Sequence, residues 1–147
     1  MQRSKVKVRR GTIEEAVSLS RLIPEFENPA GAETYRSRLE GRDHLILIAE
    51  LDQPCGFKVG YNREADGSFY SWMGGVLPDY RRHRVAQALA DEMETYCRTT
   101  GYAYIRMKTR NEHKAMLQFA LHNGFHLIGF KAYSDLMKSR ILLEKKL

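Results

Sequence analysis

Between an aromatic run ending at Val76 and an apolar stripe beginning at Val85, the chain reads Leu77-Pro78-Asp79-Tyr80-Arg81-Arg82-His83-Arg84. A helix that starts straight after a tight basic turn presents unpaired backbone N–H groups and the positive end of its dipole to one point, and that point attracts an anion. Neither common nucleotide loop, GxxxxGK[ST] or GxGxxG, is present, which argues against ATP hydrolysis and dinucleotide redox chemistry. Covalent and metal chemistry find little support. Cys55 and Cys97 stand far apart in no CxxC or Cys/His arrangement, and His44, His113 and His126 lack ligand spacing with cysteines or carboxylates, so no metal is expected.

Charge distribution sharpens the anion reading. The net charge is +6, and two short stretches hold much of the excess: Arg81, Arg82 and Arg84, then Arg106, Lys108, Arg110 and Lys114. Charge gathered at two points suits a small polyanion better than a duplex, and neither an aromatic RNA-binding signature nor a DNA-reading motif appears, so nucleic acid is not an expected partner. With 147 residues, 43% of them apolar, and no Gly/Ser/Pro linker, one domain spanning 1–147 is expected. The start, Met1 to Arg10, is charged without a signal-length apolar run, and nowhere do 18 apolar residues follow one another; with two unclustered cysteines, this points to a cytoplasmic protein off the membrane.

The elements that must position the basic turn follow from periodicity. Val6-Lys7-Val8-Arg9 alternates as a strand. Thr12 and Glu15 form a capping box ahead of a helix with the stripe Ala16, Leu19, Leu22 and Ile23, closed by Pro24. A weaker helix spans Ala32 to Arg42 around Tyr35 and Leu39. Leu45–Ala49, Gly56–Tyr61 and Phe69–Val76, joined by turns at Gln53-Pro54 and Asp66-Gly67, predict an antiparallel meander. Val85, Ala86, Leu89, Met93, Tyr96 and Cys97 then share a helical face that stops at Gly101, and Tyr102–Lys108 reads as a strand. Strand, helix and strand in succession make a crossover, so the two strands should run parallel. Asn111 should cap a fourth helix carrying Ala115, Met116, Phe119 and Ala120 and ending at Asn123-Gly124. Phe125–Tyr133 and Ile141–Leu143 close the chain as a hairpin. The order βααβββαβαββ is a mixed α+β fold: a mostly antiparallel sheet with one parallel βαβ crossover and helices on both faces.

These residues resemble the pyrophosphate loop of the GNAT superfamily of N-acetyltransferases, patterned as Arg or Gln, two residues, Gly, one residue, then Gly or Ala. Arg81 and Ala86 match it. The element order, the approach Gly75-Val76-Leu77-Pro78-Asp79-Tyr80, the post-strand Asn111 and the ending Asn123-Gly124-Phe125 extend the resemblance over most of the chain. It implies an enzyme that uses acetyl-CoA as acyl donor, with cofactor contacts at Val76, Leu77, Arg81, Arg82, His83, Arg84, Val85, Ala86, Asn111 and Phe119. It also implies that the strands Phe69–Val76 and Tyr102–Lys108 splay to admit the pantetheine arm. The expected acceptor is a primary amine on a small molecule, peptide or protein, acetylated by direct attack in a ternary complex; a homodimer is compatible with this reading. A non-catalytic acyl-CoA binder and, from another class, a basic nucleic-acid module are the competing readings.

Two departures bear on mechanism. Arg84 holds the slot where the family has Gly: either the position needs glycine's backbone freedom, or it is right-handed helical and the arginine adds a phosphate contact. The right-handed geometry is the one expected. No Tyr occupies the helix-four slot that in many family members protonates the thiolate, leaving Tyr133 or His122 as alternatives to unassisted departure. Glu25 is the candidate base for the amine, and Tyr70 and Trp72, on one face of their strand, are candidate acceptor-binding residues.

Overall fold

In the computed structural model, which describes residues 5–147, the strands are β1 (Lys7–Arg10), β2 (His44–Glu50), β3 (Pro54–Tyr61), β4 (Ser68–Val76), β5 (Tyr104–Arg110), β6 (His126–Lys131) and β7 (Arg140–Lys146). The helices are α1 (Ile13–Ser20), α2 (Ala32–Leu39), α3 (Val85–Thr100) and α4 (Lys114–His122), with 3₁₀ turns at Pro78–Tyr80 and Leu136–Lys138. The first four residues of the charged start lie outside the described residues. One sheet results, ordered β1-β2-β3-β4-β5-β7-β6, in which β4 and β5 are parallel and every other neighbouring pair is antiparallel. The closing hairpin forms, but its second strand inserts between β5 and β6.

Local chemistry sets the element ends. The Thr12 hydroxyl accepts from the Glu15 N–H at 3.2 Å, and the Glu15 carboxylate accepts from the Thr12 N–H at 3.0 Å, completing the expected box. The helix stops at Ser20, however, rather than running to Pro24. Pro24 disfavours helical geometry at Ile23, so the last turn unwinds, leaving Leu22 62% exposed while Ile23 reaches the core. The second helix ends at Leu39, short of Arg42, because the chain reverses at Gly41 with φ +73°. Tyr102 remains part of the exit from α3, its N–H donating to Cys97 O at 2.9 Å, and so β5 begins only at Tyr104. Asn111 does not cap α4. His113 stands at that position, and the Asn111 amide donates to Leu136 O at 3.3 Å while its oxygen accepts from Lys114 Nζ at 2.7 Å.

The sheet is covered on both faces. Ile46 and Ile48 of β2, with Phe57, Val59 and Tyr61 of β3, pack under α1 and α2 around Ala16, Leu19, Tyr35 and Leu39. Leu45, Leu47 and Ala49 point the other way, to Leu89, Met93 and Cys97 of α3. That is why β2 reads as an unbroken apolar run. On the α3 side, Ile105 meets α3, and Met107, two residues on, packs with Ala120 and Leu117 of α4. Each fully buried Leu, Ile or Phe contributes about 1.5–3 kcal/mol to holding the helices in place.

Gly60 lets α3 approach the sheet. A Cβ there would stand 2.4 Å from Phe69 Cε2, 2.8 Å from Met93 Cε and 2.9 Å from Tyr70 O, and the last of these is backbone. Gly60→Ala is therefore expected to destabilise the fold by about 1–3 kcal/mol, read as a lower urea midpoint with an unchanged slope.

Candidate active site

The parallel pairing of β4 with β5 runs only from Ser68–Tyr104 to Ser71–Met107. Beyond it, β4 continues to Val76 beside β3 alone, and β5 continues to Arg110 beside β7 alone. The sheet opens there in a V whose two inner edges carry backbone N–H and C=O groups without a strand partner.

At the open end of this V, α3 begins. Its N-cap residue, Arg84, has φ 63° and ψ 19°, and no side chain caps the helix. Arg82 is left-handed too, with φ 66°. The expectation of right-handed geometry at Arg84 is thus overturned: the slot uses the backbone region natural to glycine, and the arginine bears a cost of about 1–2 kcal/mol. The reason is geometric. A left-handed residue followed by the right-handed start of a helix turns consecutive N–H groups toward one side, forming a nest for an anion. The first turn of α3 holds no acidic side chain that would compete. In front of it lies a cavity of about 230 Å³ lined by Val76, Tyr80, Arg81, Arg82, Arg84, Val85, Ala86, Gln87 and Phe119.

Most of the expected cofactor residues therefore meet at one place. Three do not line that cavity. Leu77 turns inward, with its N–H donating to Cys55 O at 2.8 Å; His83 is at the exposed turn; Asn111 lies beside Leu136 at the far wall of the V. Arg81 is held from two sides, donating from Nε to Val76 O at 3.1 Å and from a terminal nitrogen to Glu25 at 2.9 Å. That bond, and to a lesser degree the charges of Arg81 and His113, hold the Glu25 carboxyl below the usual carboxylate range. Tyr133 sits in the β6–β7 connection, its N–H donating to Ser139 Oγ at 3.1 Å. Tyr70 and Trp72 share the α1/α2 face of β4, while Phe69 packs beneath α3.

Residues that the sequence reading passed over also line the V. Tyr80 and Gln87 border the cavity, and Tyr80 is anchored by its hydroxyl to Asp52 at 2.7 Å. Lys58 of β3, opposite Gly74 of β4, enters a smaller hollow between α3 and α4 with Ser71, Glu94, Asn123 and Lys145. Burial pushes its ammonium down to about 8. The signal was present in Gly56-Phe57-Lys58-Val59-Gly60: in period two, Lys58 shares the face of two glycines, the face that a helix must approach. Both thiols are buried; burial pushes Cys97 up to about 12 and raises Cys55 as well, so neither offers a ready thiolate. The second basic stretch divides. Arg106 is neutralised by Asp66 at 2.7 Å and Glu144 at 2.8 Å, whereas Lys108 forms no such pair among the described residues.

A mixed sheet with one parallel pair that splays beside an uncapped, basic helix N-terminus is the architecture of an N-acetyltransferase. The profile of the Acetyltransferase (GNAT) family matches residues 14–125, and the chain belongs to that family. Solved structures agree on the fold. The ribosomal-protein-S18-alanine N-acetyltransferase of Escherichia coli is similar with a TM-score of 0.79 at 15% identity, covering 97% of this chain and 94% of that one. Ard1 of Thermoplasma volcanium is similar with a TM-score of 0.80 at 16% identity, covering 97% of each. An acetyltransferase of Bacillus anthracis described for streptothricin, solved in complex with acetyl coenzyme A, gives 0.68 at 21% identity over 77% of this chain and 68% of that one. No curated protein sequence matches the chain. The chain is an N-acetyltransferase, and among the described residues no helix is long and apolar enough to cross a membrane.

Two outcomes are expected from this geometry. Arg84→Gly should raise stability by about 1 kcal/mol in chemical denaturation, because glycine adopts the left-handed region without a Cβ clash; a decrease would mean that the arginine's contacts outweigh the strain. Lys58→Met should stabilise the protein by roughly 1–3 kcal/mol at pH 7. Since the folded-state pKa of about 8 lies below the ordinary lysine value of 10.5, the penalty is full below pH 8 and fades as pH rises toward 10.5. Thermal melts of the two proteins should therefore converge at alkaline pH.

Proposed function

We propose that the chain moves an acetyl group from acetyl-CoA to a primary amine by direct attack within a ternary complex. The observation that carries this is the conjunction of the V between β4 and β5 with the cavity at the start of α3. Pyrophosphate is assigned to the N–H groups of Val85, Ala86 and Gln87, with Arg82 and Arg84 supplying charge-assisted contacts. Arg81, tied to Glu25 and Val76 O, is assigned to fixing the shape of the turn. The pantetheine arm would lie along the free edge of β4 as an added strand. A backbone N–H near Val76 would polarise the thioester carbonyl, an effect worth about 3 kcal/mol where such donors have been removed from other enzymes.

In the reaction the neutral amine nitrogen attacks the thioester carbon, a C–N bond forms, the C–S bond breaks, and CoA leaves as thiolate. Direct attack is favoured over an acyl-enzyme because both cysteines are buried and protonated. Glu25, its basicity lowered by Arg81, suits the task of orienting Arg81 better than that of taking the amine's proton, which passes to solvent. A thiol of pKa about 8.5 leaves with little help, and Tyr133 is the proposed donor of what help there is.

Isothermal titration with acetyl-CoA is expected to show binding in the micromolar range, weakened about tenfold or more in Arg82→Ala, with CoA release when an amine is added. No heat of binding at millimolar acetyl-CoA would overturn the assignment.

A further inference from the structure

On the face of the sheet opposite the cavity, beside the V, positive charge gathers around two aromatic rings. Arg63 Cζ lies 4.9 Å from the Tyr70 ring centroid and Lys108 Nζ 5.8 Å from it, while Arg38 Cζ lies 4.8 Å from that of Trp72. Arg140, at the start of β7, borders this group, its Cζ 5.9 Å from the Tyr133 ring centroid and its charge disfavouring a protonated Lys108. These four cations come from the second helix, the β3–β4 turn, β5 and β7, so four separate elements supply charge to this side of the sheet.

Their neutralisation is incomplete. Glu64 lies 3.5 Å from Arg63, and among the described residues it is the only acidic partner of the four. Arg38 donates to Tyr61 Oη at 3.3 Å, a neutral acceptor. Arg106, two positions before Lys108 on the same side of β5, shows the opposite treatment, with two carboxylates to itself. Lys108 is half-buried, and burial together with Arg63, Arg140 and Arg38 pushes its ammonium below the usual lysine range, with Glu64 opposing only in part. Four cations sharing one carboxylate repel one another, and the repulsion is relieved when a counter-charge binds between them. Tyr70 and Trp72 pack with the α1/α2 cluster, on the other side of the sheet from the turn at the start of α3, so this charge is not part of the pyrophosphate nest.

We propose that this surface holds the anionic group of the acceptor, which makes the acceptor a small amine that also bears a carboxylate or a phosphate. The assignment rests on the acetyltransferase reading for the word acceptor and on the cation cluster for the anion. It has a chemical advantage: cations beside a bound ammonium favour its neutral form, the form that attacks, and so take over work that Glu25 is ill placed to do.

Two matched pairs of probes test it: 4-aminobutyrate against butylamine, and 2-aminoethyl phosphate against ethanolamine. CoA release from acetyl-CoA is measured for each. Trp72 is the only tryptophan of the chain, so its fluorescence, titrated with the same four compounds without acetyl-CoA, reports binding at this face independently of turnover. The anionic member of at least one pair is expected to shift Trp72 emission and to exceed its partner about tenfold in kcat/KM. In the double variant Arg63→Gln/Arg140→Gln that ratio should fall toward one. Preference within the first pair alone assigns a carboxylate, and within the second alone a phosphate. The proposal is overturned if neither anion changes Trp72 emission up to about 10 mM, or if the uncharged-tail amines are turned over equally well. An emission change without acetyl-CoA binding would instead leave the anion site standing and remove the acetyltransferase reading.

Discussion

Ser68 through Ser71 on β4, paired with Tyr104 through Met107 on β5, form the seam on which both halves of the sheet depend. On one side β1 to β4 are knitted by long antiparallel ladders; on the other β5, β7 and β6 form a second set. A parallel pair can be joined only through a crossover, and α3 is that crossover. The seam therefore fixes two things together: where the strands part, and where the uncapped start of α3 falls relative to the opening. Had the parallel register continued to Val76, the edge groups assigned to the pantetheine arm would be spent on β5.

Electrostatics divide along the same line. The turn from Arg81 to Arg84 accumulates positive charge with its backbone already bent toward an anion, at the expense of left-handed geometry at two arginines. Across the sheet, the cations around Tyr70 and Trp72 are brought together by elements remote in sequence. Some cations elsewhere have carboxylate partners: Arg9 with Glu15 and Glu50, Arg106 with Asp66 and Glu144, Lys145 with Glu94. The contrast within one strand, Arg106 with two carboxylates against Lys108 with none among the described residues, makes the imbalance around Tyr70 a local feature rather than a reflection of net charge.

What the sequence made legible was whatever is written in short range. The Thr12–Glu15 box, the Gly101 stop and the apolar stripe of α3 depend on residues within a few positions of one another, whose types leave little freedom, and the crossover follows from the order of the elements so read. The basic turn was legible for the same reason. The handedness of Arg84 was not, because the residue type argues against the geometry that the nest imposes. Asn111 reads as a cap because Asn is among the residues favoured at a helix N-cap; its amide instead donates to Leu136 O, which arrives from a later segment. The pairing of Glu25 with Arg81, which weakens the candidate base, joins residues far apart in the chain, as does the cluster around Tyr70. Such features follow from tertiary packing, which periodicity does not encode.

The insertion of β7 between β5 and β6 has a consequence for how the enzyme comes into being. A chain emerging in order from its start can assemble β1 to β4, lay α3 across them and complete the basic turn while the rest is unmade. β6, however, pairs with nothing but β7, and β5 has only its short seam to β4 until β7 arrives. The second wall of the V is thus complete only with the last strand in place, and the β5–β7 pairing that completes it closes over the intervening α4 and β6. The candidate site therefore depends on Arg140–Lys146, the strand whose first residue also contributes a cation to the proposed acceptor face.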